Sequence, residues 1–347
     1  MTLYNSTVSG NTAAGAFSFG GGISVTFGAL TISNSTVSRN STEGYGATGG
    51  GILAPVGDVT LINSTVSGNS TASESADGGG IALGRGTLTL SNSTVGRNSS
   101  GGIGGGVFTF DDSFNRSITI ENSIVADNLQ NLTLNASGSP NDLVLNTEGV
   151  LTINHSLIGV ANDITQTIKG NFGNQFGTAA SPLNPMLAPL SDNGGPTQTH
   201  ALLPGSPAID AGNSTEAFDQ RGEARVVDLQ FVENLATSNG SDIGAFEFQG
   251  EVLVITTSND ELDVADTDLS TLDASDLSLR EAIVIANTLP GSDGIVFDSN
   301  VFTGGADSLI RLTSGELEIT DSLTIDASSA VNVTITGDAN GDDVTDG

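Results

Sequence analysis

Leu30-Thr31-Ile32-Ser33-Asn34-Ser35-Thr36-Val37-Ser38-Arg39-Asn40 recurs in near-copy through the first half of the chain, and its reading decides the fold. Its first Asn aligns with Asn5, Asn34, Asn63, Asn92 and Asn122, its second with Asn11, Asn40, Asn69, Asn98 and Asn128. Both columns advance by 29, 29, 29 and 30 residues. Glycine triplets stand between them at Gly20 to Gly22, Gly49 to Gly51, Gly78 to Gly80 and Gly104 to Gly106, each followed by Ile or Val. A fixed period of this length marks a solenoid.

Leu30, Ile32 and Val37 alternate with Thr31, Thr36 and Ser38, a period of two that predicts half-buried strands broken at Asn34. The β-branched residues and glycines disfavour helix. Another strand follows each triplet, as in Ile52-Leu53-Ala54 and Ile81-Ala82-Leu83. Three short strands and three turns per rung predict an all-β, right-handed parallel β-helix with rungs about 4.8 Å apart. Asn in successive turns can bond to its copies as a ladder and tolerates left-handed backbone. Asn34-Ser35-Thr36 and its copies also read as glycosylation sequons, but their place at strand breaks favours the ladder. The triplets allow tight turns or close backbone passage; with neither Lys nor helix after them, they make no phosphate cradle. His155 takes the first Asn position further on and reads as a turn residue rather than a ligand.

Between the second Asn and each triplet the sequence varies, at 12–19, 41–48, 70–77 and 99–103. Variable loops on a regular stack form its natural recognition surface.

The 347 residues carry 40 acidic against nine basic side chains, a net charge of −31 that opposes nucleic acid and anionic membranes. With no cysteine, disulfides and thiolate chemistry are excluded. No apolar run reaches the roughly 20 residues of a membrane span. Met1 leads directly into a repeat unit, so the chain reads as a monomeric segment of something longer, without its signal peptide.

Past residue 181 the texture turns to Pro- and Gly-punctuated loop. Asn184-Pro185-Met186-Leu187, Asp192-Asn193-Gly194-Gly195-Pro196, Pro204-Gly205-Ser206-Pro207-Ala208-Ile209-Asp210, Asp219-Gln220-Arg221-Gly222 and Asp242-Ile243-Gly244-Ala245-Phe246-Glu247 resemble the choice-of-anchor Q module of bacterial surface β-helix proteins. The resemblance implies that residues 182–250 close the last rungs and cap the stack. Read on their own, His200, Asp210, Asp219, Arg221, Arg225, Asp242 and Glu247 form a charged constellation that could do acid–base chemistry. The alternative, which weighs more, is a cap network in which arginines and carboxylates satisfy buried turns.

Residues 251–277 hold a strand and an acidic stretch expected to be flexible or ordered by calcium. Ser278-Leu279-Arg280-Glu281-Ala282 opens the one credible helix, over 278–288, with a capping box. It resembles the CSLREA motif found at the start of bacterial surface β-helix units, with Leu277 in place of the Cys. Residues 278–347 then read as that capping helix and the first rungs of a following β-helix, including a strand at Leu317-Glu318-Ile319. Asp338, Asn340 and Asp342 resemble part of a calcium loop, although the sixth position lacks its Gly. Calcium is the only cofactor the sequence suggests.

Two functions remain. One is a non-enzymatic, adhesin-like module, extracellular or on the cell surface, that presents loops to a glycan or protein; the repeats are also loosely similar to those of polymorphic outer-membrane proteins. The other is a polysaccharide lyase or glycoside hydrolase, which needs a base beside carboxylates or two facing carboxylates. Arg39 and Arg97 align two rungs apart with no acidic cluster in register, so no catalytic residue is assigned and the first reading is favoured.

Overall fold

Leu30, Val59, Leu88, Ile118 and Leu151 occupy one register position in five successive strands, and all are buried. The residue between each of these and the next core position is a threonine, partly exposed. That is the outcome of stacking identical alternating segments in parallel, one rung's strand over the last. The computed structural model describes residues 1–110, 116–130, 138–145, 149–161, 164, 167–170, 172–229, 232–262, 275–289 and 293–337, the side chain of Asp307 aside. Asp338, Asn340 and Asp342 lie outside the described residues, as do residues 263–274 of the acidic stretch.

The first unit comprises Met1–Leu202, Ser206–Asp228 and Asn234–Phe248. Its rungs build four faces, parallel throughout except where Leu129–Gln130 pairs antiparallel with Ser139–Pro140. The first holds Thr2–Tyr4, Ala29–Ser33, Asp58–Ile62, Leu88–Ser91, Ser117–Glu121, Val150–Asn154 and Ile168–Gly170. The second holds Thr7–Ser9, Thr36–Ser38, Thr65–Ser67, Thr94–Gly96, Ile124–Ala126, Leu157–Ile158 and Gln175–Phe176. Strands following the triplets, such as Ile52–Ala54 and Ile81–Leu83, form another. These are the three strands per rung that the pattern predicts. A further face is made of two-residue strands such as Ser41–Thr42 and Ser70–Thr71, too short to leave a periodic signal. The interior is a continuous column of Leu, Ile and Val, each buried side chain contributing about 1.5–3 kcal/mol.

Residues 182–248 depart from the expected end cap. They run back along the flank of the stack and cover the second face. Thr36 Oγ1 donates to the Gln198 carbonyl at 2.6 Å, Asn63 Nδ2 to the Phe218 carbonyl at 3.0 Å, and Asn122 Nδ2 to the Asp242 carbonyl at 3.0 Å. The Ala245 amide donates to Thr94 Oγ1 at 3.1 Å. Thr36, Thr65 and Thr94 are therefore buried, where alternation predicted one solvated face; Thr7 and Ser9 in the first rung remain exposed. Apart from Leu203–Gly205 and Leu229–Glu233, the flank segment belongs to the same compact unit as the stack rather than to a domain of its own.

The second unit takes in residues from Gln249 onward, with two short pieces from earlier in the chain. Val252–Ile255, Asp293–Phe297 and Leu323–Asp326 pair in parallel, as do Leu309–Arg311 and Thr334–Thr336. The helix Leu279–Ala286 begins as read: Ser278 Oγ accepts the Glu281 amide at 3.2 Å, and Glu281 Oε2 accepts the Ser278 amide at 2.9 Å. Leu277 is buried in the core beside Ile283 and Phe297. One expectation is corrected. Leu317-Glu318-Ile319 forms no strand; the carbonyls of Glu316 and Glu318 accept from the Arg280 and Asn287 side chains. At the start of the acidic stretch Asp260 pairs with Arg280 at 2.6 Å and accepts the Ser314 amide at 2.8 Å.

Candidate functional site

The second Asn column is a closed ladder. Asn40 donates both its amide, at 3.0 Å, and its Nδ2, at 2.9 Å, to Asn69 Oδ1, while Asn69 Nδ2 also reaches the Val37 carbonyl. The same bonds join Asn11 to Asn40, Asn69 to Asn98 and Asn98 to Asn128. Asn128 hands the chain to Asp142 Oδ1, at 2.9 and 2.8 Å.

The first column plays a different part. Asn5, Asn34, Asn63, Asn92 and Asn122 all have left-handed backbone with φ of 45–50°, and His155 follows at 43°. Asn pays least for that conformation among residues with side chains. The column's side chains make one link among themselves, Asn122 Nδ2 to Asn92 Oδ1 at 2.7 Å, while those of Asn63 and Asn122 also bond to the flank segment. The continuous ladder in this turn is made by serines. The amide of Ser6 donates to Ser35 Oγ, and the pattern repeats through Ser64, Ser93, Ser123 and Ser156. Their signal was present, since Ser follows every first-column Asn at the same spacing. Asn63 and Asn122 spend their Nδ2 under the flank segment, where a glycan has no room.

The glycine triplets are positions of close passage. A Cβ on Gly50 would lie 2.3 Å from the Ser70 carbonyl oxygen, and the Gly50 amide is already bonded to the Gly78 carbonyl.

The cap network assembles as a buried set. Asp219 Oδ1 accepts the amides of Arg221, Gly222 and Glu223 at 2.8–3.1 Å, and its Oδ2 accepts the Glu247 amide and Arg221 Nε. Asp242 accepts the amides of Asp210 and Phe248; Glu247 accepts those of Val227 and Asp242. Arg225 lies 3.6 Å from Glu247, and Arg221 stacks 3.7 Å over the Phe246 ring. Burial raises Asp242 well above the carboxylate range, with the Glu247 charge adding to it. Burial likewise lifts Glu247 to about 7 against the pull of Arg225. Carboxylates filled with main-chain donors inside a closed seam hold turns together and cannot reach a substrate.

His200 and Ser67 resemble a nucleophile–base pair, with Nε2 2.7 Å from Oγ. The Ala188 carbonyl at 2.7 Å from Nδ1 can only accept, so Nδ1 carries the proton and Nε2 accepts from Ser67. Burial lowers His200 to about 4, and both residues are 2% exposed, so the pair is a neutral structural bridge.

One arrangement escaped the sequence reading. A cavity of about 300 Å³ on the flank is lined by Asp127, Leu129, Pro140, Asp142, Val160 and Leu183. Burial raises Asp142 to about 7 in spite of the Asn128 hydrogen bonds, and the Asp127 charge adds to this. Asp127 is itself raised by burial, opposed by Arg97 4.0 Å away. Asp127 has a left-handed φ of 60° in the turn column shared by Arg39 and Arg97, which places both arginines in turns. Spacing could not reveal the pair: Asp142 stands 14 residues after Asn128, outside the repeat.

The family model described as right handed beta helix region matches residues 1–165. No curated protein and no solved structure matches the chain. The stack is a right-handed parallel β-helix, a fold whose family includes both adhesin-like and polysaccharide-degrading proteins.

Proposed function

We propose that the chain is a non-enzymatic, extracellular or cell-surface β-helix module that recognises a glycan or a protein through its variable loops. The observation that carries this reading is the placement of exposed aromatic rings. Phe17, Phe19 and Tyr45, at 61%, 53% and 65% exposure, all stand in the loops after Asn11 and Asn40. Phe17 and Tyr45 meet edge to face at 6.0 Å. Exposed rings clustered on a flank mark interaction surface, and their flat faces suit sugar rings or apolar side chains. The likeness of 182–250 to choice-of-anchor Q and of 277–282 to CSLREA supports a surface location, and the net charge of −31 argues against nucleic acid. A glycan array and a cell-surface pull-down test the reading: loss of captured ligand in Phe17→Ala/Tyr45→Ala supports it, and unchanged capture refutes it.

A second reading, glycoside hydrolysis, is favoured by the Asp127–Asp142 cavity alone. A buried carboxyl raised to about 7 in one cavity with a second carboxyl is a pairing that acid–base chemistry on a glycosidic bond uses. Release of reducing ends from pectin, alginate or related polymers, abolished in Asp142→Asn, would establish it in place of the first.

A further inference from the structure

We infer that the leading edge of the three-stranded sheet in the second unit binds a calcium ion through Asp293 and Asp321. Register pairs Asp293 with Leu323, which leaves Asp321 two residues ahead of the partner of Asp293 on the neighbouring strand.

Asp293 is 1% exposed. Its Oδ1 accepts the Glu251 amide at 2.9 Å, while its Oδ2 is buried and meets no hydrogen-bond donor among the described residues. An orphaned carboxylate oxygen in the interior is costly. No cation of the protein serves it: Arg280 is engaged by Asp260 and the carbonyls of Gly315 and Glu316, and the charged neighbour that acts on Asp293 is Asp321. Protonation of Oδ2 would exchange an unmet acceptor for a donor that also needs a partner. A bound cation meets the oxygen and offsets the charges together.

The donors are hard oxygens, and the second unit holds neither Cys nor His, which selects calcium over zinc or copper. Asp321 Oδ1 accepts the Ser322 amide at 2.7 Å and leaves its other oxygen for the ion. Among the described residues no three acidic or His side chains form a metal cluster, so the shell is completed by carbonyl oxygens and water. Two charged ligands give an affinity on the order of 10⁻⁴–10⁻³ M, the range of extracellular modules.

Calorimetric titration of the full chain with calcium chloride, with thermal unfolding in calcium and in EDTA, tests the site. The wild type should show saturable binding and a raised melting temperature, Asp293→Asn should lose both, and Asp321→Asn should weaken binding about tenfold or more. Asp338→Asn/Asn340→Ala/Asp342→Asn should bind like the wild type. In EDTA, Asp293→Asn should melt no lower than the wild type, since the orphaned charge is gone. Absence of calcium binding, its persistence in Asp293→Asn, or its loss in the triple variant overturns the inference. Should Asp293→Asn fail to fold, unchanged affinity in Asp321→Asn, an exposed position, overturns it equally.

Discussion

Asn69 Oδ1 accepts both the main-chain and the side-chain N–H of Asn40, one rung earlier, at 3.0 and 2.9 Å. One oxygen thus satisfies two buried donors, and the amide nitrogen beside it passes the pattern on.

Replacing Asn69 with Ala leaves the Asn40 amide and Nδ2 and the Val37 carbonyl without their partner inside the turn. The cost should be at least about 3 kcal/mol, since each of the three unmet buried groups costs roughly 1–3 kcal/mol. Asn11→Ala, in the exposed first rung, should cost well under half as much. Urea denaturation of the two variants measures the difference.

Gly50→Ala should destabilise by about 1–3 kcal/mol through overpacking, because its Cβ would meet the Ser70 carbonyl oxygen at 2.3 Å. The obstacle is backbone of the next rung, which cannot swing aside as a side chain could. A thermal melt that matches the wild type would contradict the close passage.

Gln220 fastens the flank segment: Thr65 Oγ1 donates to its Oε1 at 2.7 Å, and its Nε2 reaches Thr36 and Thr197. In Gln220→Ala the hydroxyls of Thr36 and Thr65 each lose a partner beneath the segment. Limited proteolysis should cut the 182–248 region several-fold faster, while hydrogen exchange of the Ile32 and Leu61 amides stays slow. Equal acceleration in both regions would mean that the segment does not open independently of the stack.

Stability should depend on pH in two opposed ways. The folded-state values of Asp142 and Glu247 are raised to about 7, so the folded chain binds more protons than the unfolded chain between about pH 4 and 7. Their contribution is present at low pH and is lost as pH rises through that window. His200 is lowered to about 4, so its contribution is present above about pH 6.5 and is lost as pH falls towards 4. Asp142→Asn removes one carboxyl, and its stability relative to the wild type should rise by roughly 1–4 kcal/mol from pH 5 to pH 8. Denaturation at both pH values checks the sign.

Much of the fold was legible because a solenoid repeats its local code. Each rung faces the same neighbours, so a residue needed in one turn is needed in all, and period alone exposes Asn40, Asn69 and Asn98. The capping box at Ser278 and Glu281 was equally local. Legibility failed where partners are distant in the chain: Thr36 meets Gln198 and Asn63 meets Phe218, across more than 150 residues without any shared period.

The sequence by itself determined the parallel stack, its register, its two Asn columns and the helix start, because alternation, fixed spacing and capping act between neighbours along the chain or between identical units. Only the tertiary structure decided that residues 182–248 lie along the second face, that Asp127 and Asp142 share a cavity, and that Asp293 stands beside Glu251 with one oxygen unmet. Those relations depend on how non-repeating segments pack against the stack or against one another, and burial then sets the ionisation of groups whose residue type says nothing about their surroundings.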